Sequence, residues 1–224
     1  EMLRSLVGSE MCIRDRLWHE ILEPYELAVK ELQVKFRHLI KEHHGKGLYS
    51  PIESVSGRVK SVSSILEKMQ RKGIAPEEME EQVEDIAGIR IICQFVEDIE
   101  KVADLIRNRS DMQVVTEKDY INHMKSSGYR SYHMIIEVPV FFSDRKENMR
   151  VEVQIRTIAM DFWASLDHQM KYKKDVEDAS EISEELKECA EVIAQTDLKM
   201  LSLRRKIEDR ESKENLLQFD KDPM

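Results

Sequence analysis

Two carboxylates and a set of scattered cations are the residues of this chain that could do chemistry. Asp85 stands in "EDIAGIR", just before a glycine-containing turn into an apolar run. Glu152 stands in "MRVEVQIRT", where Val151, Val153 and Ile155 alternate with Glu152, Gln154 and Arg156. A strand sends successive side chains to opposite faces. The valines and isoleucine therefore share one face, and a carboxylate, an amide and a guanidinium line the other. If this strand lies beside the one that follows Asp85, the two acids face one cleft. Mg²⁺ is commonly held by one or two carboxylates, with substrate phosphate oxygens and waters completing the shell. Acids that hold a metal, with cations that hold phosphates, suit phosphoryl or pyrophosphoryl transfer.

The cations come from three places. Ser54 and Ser56 read as caps of a helix running to about Lys72, with Val55, Val59, Val62, Leu66 and Met69 as its buried stripe. On that helix Lys60, Lys68, Arg71 and Lys72 fall within an arc of about 120°, and Arg58 sits at its start, where free N–H groups favour anions. Arg90 shares a strand face with Ile92 and Gln94; its planar guanidinium can stack on a base or clamp a phosphate. "KSSGYRSYH" brings Lys125, Arg130 and His133 around Gly128 and Tyr129, an aromatic able to stack on a nucleobase. Each signal has an ordinary alternative: a solvated basic face, an edge ion pair, a core tyrosine.

The background is acidic. Of 224 residues 35% are charged and 41% apolar, and the net charge is −9, so any polyanion site must be a local basic patch. Three separated cysteines, Cys12, Cys93 and Cys189, give no disulfide framework and fit a reducing cytoplasm. No apolar run approaches a membrane span. The chain has no GxxxxGK[ST] loop, no GxGxxG, no HExxH and no His-Asp dipeptide, which removes the common nucleotide loops and a histidine–aspartate hydrolase.

The elements that must position these residues alternate. Residues 1–16 show no clear period and read as a foreign remnant or a disordered tail. From Leu17 to about His44, Ala28, Leu32, Phe36 and Leu39 recur at helical spacing. Pro76 starts a short acidic helix. Strands are expected at 89–96, within "MQVVTEKDY" and "YHMIIEVPVFF", and at Glu152, with helices at "EDIEKVADLIRNR" and "IAMDFWASLDHQMKYK". Strands interleaved with helices give an α/β or α+β fold. From Ala179 to about Arg210, the residues Ile182, Leu186, Cys189, Ile193, Thr196, Met200, Leu203 and Ile207 are spaced 4-3-4-3-4-3-4, a heptad seam. It serves a helix packed on its own domain or one that builds a homo-oligomer.

"SVSGRVKSVSSILEKMQRKG", "EDIAGIRIICQF", "SSGYRSYH" and "VEVQIRTIAMDFWASLDHQMKYK" together resemble the synthetase domain of the RelA/SpoT family, in the form of a stand-alone small alarmone synthetase. The resemblance implies a synthetase domain over 17–175, an oligomerising helix over 176–212 and a disordered tail over 213–224. The implied fold is a nucleotidyltransferase-like mixed sheet of about five strands flanked by helices. The implied reaction moves the β,γ-pyrophosphate of ATP to the 3′-hydroxyl of GDP or GTP, with GMP a further acceptor left open, giving AMP and the alarmone, without hydrolase activity. Asp85 and Glu152 match Mg²⁺ ligands, and Glu152 also the group that activates the acceptor hydroxyl. Arg58 and Arg90 match the adenine sandwich, and Lys60, Lys68 and Arg71 the phosphate cations. Lys118 matches a basic position in a mobile loop over the ATP site. Tyr129 matches the guanine-stacking tyrosine; Lys125, His133, Gln154 and Asp161 fall on the GDP/GTP side. Some relatives have Asn at the position of Asp161 and an aromatic near Ser54, positions tied to acceptor or alarmone recognition. A homotetramer is implied, with pppGpp as allosteric ligand and single-stranded RNA in a central cleft as further partners. The alternatives are an RNA-binding module, which needs the basic loop but not the two acids, and a helical scaffold built on the heptad seam.

Overall fold

The structure is a computed structural model that describes residues 2–172 and 179–219, with side chains over 17–167, 169–170 and 181–212. Its elements are α1 (Met2–Gly45), β1 (Ser54–Val59), α2 (Val62–Lys72), a 3₁₀ turn (Pro76–Glu78) leading into α3 (Met79–Gln82), β2 (Ala87–Cys93), α4 (Val96–Arg107), β3 (Gln113–Asp119), β4 (Tyr132–Phe141), β5 (Lys146–Thr157), α5 (Ile158–Tyr172) and α6 (Ala179–Phe219). The strands form one sheet in the order β1-β2-β5-β4-β3. The β2 and β5 strands are parallel and the other neighbours antiparallel. This is the expected mixed five-stranded sheet.

Strict alternation makes the sheet two-faced. Ile89 and Ile91 of β2, Val151, Val153 and Ile155 of β5, and Met134 and Ile136 of β4 are all buried on one face. That face is covered by Ala28, Val29, Leu32 and Phe36 of α1 and by Ile99, Val102, Ala103 and Ile106 of α4. Each such side chain contributes on the order of 2 kcal/mol when buried. Gly57 of β1 lets α1 lie close: a Cβ there would sit 2.7 Å from Val29 Cγ1 and 2.8 Å from Ile89 Cδ1. Gly57→Ala is expected to cost about 1–3 kcal/mol by overpacking, read as a lower midpoint in denaturant unfolding.

Several expectations need correction. Ser54–Val59 is an edge strand, not the first turns of a helix. Val55 and Val59 are four apart, a spacing that one strand face satisfies as well as a helix does. The helix begins at Val62, with Ser61 rather than Ser54 or Ser56 as its cap; Ser61 Oγ accepts from the Ser64 N–H at 3.4 Å. Its buried residues are Ile65 and Met69, while Leu66 is exposed. Arg58 therefore lies on a strand and Lys60 on the connection to α2. Lys118 lies on β3, opposite His133, and not in a loop. Residues 2–16, which show no period in the sequence, are helical backbone continuous with α1. At the other end α6 extends to Phe219; 220–224 and the expected boundary at 175/176 lie outside the described residues.

The heptad seam of α6 splits. Leu186, Ala190, Asp197 and Leu201 are buried against the domain, whereas Cys189, Thr196, Met200, Leu203 and Ile207 are exposed. Trp163 of α5 donates its indole N–H to the Leu186 carbonyl at 2.8 Å. Farther along, Arg204 stacks over Tyr49 (4.0 Å) and Phe95 (4.6 Å) and reaches Asp98 at 3.3 Å. Asp98, fully buried at the start of α4, also accepts from Tyr49 Oη at 2.6 Å and Lys101 Nζ at 2.9 Å. Among the described residues, no helix is long and apolar enough to cross a membrane.

Candidate active site

The second face of the sheet carries the polar row. Parallel pairing of β2 with β5 sets Gly88 beside Glu152, Arg90 beside Gln154 and Ile92 beside Arg156. Antiparallel pairing adds Arg58 beside Gly88 from β1, and His133 beside Gln154 from β4. A cavity of about 190 Å³ opens here, lined by Arg58, Asp85, Arg90, Glu152 and Gln154 together with Ser56, Gly57, Gly88 and Ile89. Five residues singled out from the sequence thus meet in one pocket. Gly88 leaves the floor between Arg58 and Glu152 open, since a Cβ there would meet nothing closer than 3.9 Å.

Asp85, on the turn between α3 and β2, holds Lys60 through Oδ2 and Lys68 through Oδ1, both at 2.6 Å. Burial pushes its carboxyl up, but the bonds from the two lysines outweigh this and hold it below the ordinary range. The lysines thus converge at one point although only Lys68 belongs to α2. Arg71 and Lys72 are exposed at the end of that helix. Lys118 lies at the margin, 3.9 Å from Glu84. Neither Arg71 nor Lys118 lines the cavity.

Glu152 is gripped from both sides. His133 Nδ1 is 3.0 Å from its Oε1, and Gln154 Nε2 donates to its Oε2 at 2.8 Å. Burial raises its carboxyl; the His133 and Gln154 bonds bring the balance below the usual range, against a smaller opposing push from Asp85. His133 Nε2 lies 2.8 Å from Tyr129 Oη. Tyr129 sits in an aromatic corner with Tyr120 and His133, and Lys125 Nζ lies 5.0 Å from its ring centroid. The loop that carries Tyr129 turns at Gly128, whose φ of +85° is open to glycine but strained for other residues. It rests on α6: a Cβ at 128 would lie 2.7 Å from Ala190 Cβ.

Sequence reasoning gave Arg156 no more than a structural salt bridge near the strand's end; it makes one, with Asp161, and is also the most connected side chain here. Only 4% exposed, it reaches Tyr129 Oη (2.5 Å), Gln154 Oε1 (2.8 Å), Asp161 Oδ1 (3.0 Å) and Ser131 Oγ (3.3 Å). Its one sequence signal is its place two residues past Gln154 on the polar face. Asp161, in the first turn of α5, also lies 3.2 Å from Arg90 Nη1. Burial and the charge of Arg156 pull the Arg90 pKa down. Arg90 Nε is buried with no hydrogen-bond partner, a donor left for something the pocket would hold.

Asp85 and Glu152 fit a divalent ion such as Mg²⁺. Among the described residues there is no cluster of three His, Cys, Asp or Glu that could cage a metal. Two carboxylates on one cavity are nonetheless what Mg²⁺ uses when phosphate oxygens complete its shell.

Comparison with known proteins agrees with this geometry. Residues 57–177 match the family described as the region found in RelA / SpoT proteins. The chain is 43% identical over 193 residues to the GTP pyrophosphokinase YwaC of Bacillus subtilis, covering 85% of this chain and 92% of that one. It is 40% identical over 195 residues to the GTP pyrophosphokinase YjbM of the same organism, covering 87% and 92%. The crystal structure of small alarmone synthetase 1 from Bacillus subtilis bound to its product pppGpp superposes with a TM-score of 0.81 at 40% identity, over 86% of this chain and 99% of that one. With a family match over residues 57–177, more than half of the chain, and relatives matched over 92% of their length, this chain belongs to the RelA/SpoT family.

Proposed function

We propose that this chain is a (p)ppGpp synthetase, which transfers the β,γ-pyrophosphate of ATP to the 3′-hydroxyl of GDP or GTP and releases AMP. The observation that carries the reading is the single pocket joining Asp85, Glu152, Arg58 and Arg90, in a chain 40–43% identical to two GTP pyrophosphokinases. The acceptor oxygen forms a bond to the β-phosphorus, the bond from that phosphorus to the α-phosphate oxygen breaks, and the electron pair leaves with AMP.

Arg58 and Arg90 are diagonal neighbours on the β1–β2 ladder, where Arg58 pairs with Gly88 and Arg90 with Ser56; in this reading they take the adenine between planar guanidinium faces. Lys60 and Lys68 share the single carboxylate of Asp85 before nucleotide arrives, which leaves the trio with a net positive charge. Triphosphate oxygens offer them a denser negative charge, and their transfer to the phosphates frees Asp85. Asp85 and Glu152 would then hold Mg²⁺, which supplies charge neutralisation and a lowered pKa for the coordinated hydroxyl. Glu152, ionised at neutral pH as a carboxylate is, takes the ribose proton as general base. Tyr129 stacks on the guanine, with Lys125, His133 and Gln154 around it. We extend the reading to assembly: Met200, Leu203 and Ile207 form an exposed apolar edge on α6, suited to a second copy in a homotetramer. A purely RNA-binding module would leave the convergence of two acids with these cations without a use.

Incubation with ATP, GDP and Mg²⁺ is expected to yield AMP and a guanosine tetraphosphate; absence of both overturns the proposal. Tyr129→Ala should raise the acceptor KM by about 10-fold or more, given the 1–3 kcal/mol typical of base stacking, and leave the ATP KM nearly unchanged. A rise in the ATP KM instead would place Tyr129 on the donor side.

A further inference from the structure

The contacts of Arg156 form a closed circuit. Arg156 donates to Gln154 Oε1, which turns the Gln154 amide so that Nε2 donates to Glu152 Oε2. Arg156 also donates to Tyr129 Oη, and Tyr129 is bonded to His133, which meets Glu152 Oε1. Both arms that leave this guanidinium therefore end on the two oxygens of one carboxylate. A second branch leaves the circuit through Asp161, which sits between Arg156 and Arg90 at 3.0 and 3.2 Å.

We propose that Arg156 is the positioning residue of the acceptor side: it fixes Tyr129 and Gln154 at once, and through Asp161 it registers that side against the donor arginine Arg90. The assignment rests on the synthetase reading above. Three features support it. The guanidinium is almost fully buried, so its orientation is dictated by its partners and not by water. Its five N–H groups in a planar fork are what four acceptors in different directions require. Its Cζ also lies 5.1 Å from the Tyr129 ring centroid, so it holds the tyrosine by face as well as by hydroxyl. Asp161 answers the electrostatic problem that results, because it lies between two cations, Arg90 and Arg156, carried by neighbouring strands. Arg156 lies outside the residues that line the cavity, so it acts through Tyr129, Gln154 and Asp161.

The test is steady-state kinetics of the full chain with ATP and GDP varied separately, for wild type, Arg156→Lys and Asp161→Ala, with thermal unfolding alongside. Arg156→Lys keeps the charge but cannot serve four directions. It is expected to raise the GDP KM about 10-fold, the equivalent of one charge-assisted hydrogen bond of about 1.4 kcal/mol, with the ATP KM changed less than about twofold. Asp161→Ala, at a partly exposed position that tolerates truncation, should raise both KM values, since Asp161 touches an arginine on each side. Equal rises in both KM values for Arg156→Lys, or a fall in kcat alone, overturn the assignment. So does an Asp161→Ala enzyme with both KM values unchanged, which keeps the proposal testable if Arg156→Lys does not fold. No turnover by wild type overturns both this and the synthetase reading. Turnover by wild type with an unaltered GDP KM in Arg156→Lys overturns this assignment alone.

Discussion

Glu152→Gln is expected to reduce AMP formation by at least about 10³-fold while the chain stays folded. General-base catalysis is worth about 10²–10⁴, and the same carboxylate is a proposed metal ligand, so the change removes two contributions together. The shape is conserved, so the sheet has no reason to rearrange. The hydrogen bonds around it do suffer. His133 Nδ1 and Gln154 Nε2 both point at Glu152 oxygens, and a glutamine offers only one oxygen to the two of them. Turning Gln154 to answer the new amide would set its Nε2 against the Arg156 donor. One frustrated bond should cost about 1–2 kcal/mol, seen as a Tm lower by a few degrees. The measurement is AMP release with ATP and GDP saturating, together with a thermal melt. An enzyme that still turns over at a tenth of the wild-type rate would move the base elsewhere.

Asp98→Ala is expected to have the largest effect on stability. Asp98 is fully buried and accepts from Tyr49, Lys101 and Arg204. Hydrogen bonds to charged groups are worth about 1.5–3 kcal/mol each, and truncation leaves the Tyr49 hydroxyl and the Arg204 guanidinium to find water. A loss of about 3 kcal/mol corresponds to a Tm drop on the order of 10 °C for a chain of this size. The effect should also be local. Arg204 is stacked between Tyr49 and Phe95, and without Asp98 the far half of α6 keeps those stacks but has, as ionic partner on α4, the partly exposed Glu97, 3.6 Å from Arg204 and 2.9 Å from Arg205. Amide exchange is therefore expected to accelerate first around Leu201–Glu208. Unchanged exchange there, with a lower global Tm, would show that Asp98 serves only α4.

The two-faced sheet was legible because alternation is a local signal. "VEVQI" states its own faces, and "GIRII" does the same. The convergence of Asp85 with Lys60 and Lys68 was only half legible. The residues were identified, but the geometry assumed for them was a helix. Val55, Val59, Val62, Leu66 and Met69 satisfy a helical stripe, yet the first two equally satisfy one face of a strand. The β-branched valines of "SVSGRV" favour the strand, and Gly57 disfavours a helix interior. Arg156 was legible only as an ion-pairing side chain near the end of its strand, because its other partners, Tyr129 and Ser131, lie on a loop that only tertiary structure brings to β5. The α6 seam failed for a different reason. Residues in contact with the domain, Leu186, Ala190, Ile193, Asp197, Leu201 and Arg204, follow the 3.6-residue period of a straight helix. A 3.5-residue seam drifts about 20° per heptad from that line, so the two coincide near Leu186 and have separated by Met200.

The contact between Gly128 and Ala190 has a consequence for how this chain can vary. A Cβ on either side of the present gap has no free volume to enter: at 128 it would strike Ala190, and Lys187 Cα lies only 3.3 Å away. The loop that carries Tyr129 is therefore seated closely on α6 at Lys187 and Ala190. A larger residue at 190 cannot be absorbed by a side-chain rotation, because what faces it is main chain. It must lift the loop, and Tyr129 with it. The bulk of one small residue on a helix that contributes nothing to the polar row thus enters the fit of the acceptor pocket. Gly128 can yield no further space, so position 190 is held to a small residue by a glycine on another element.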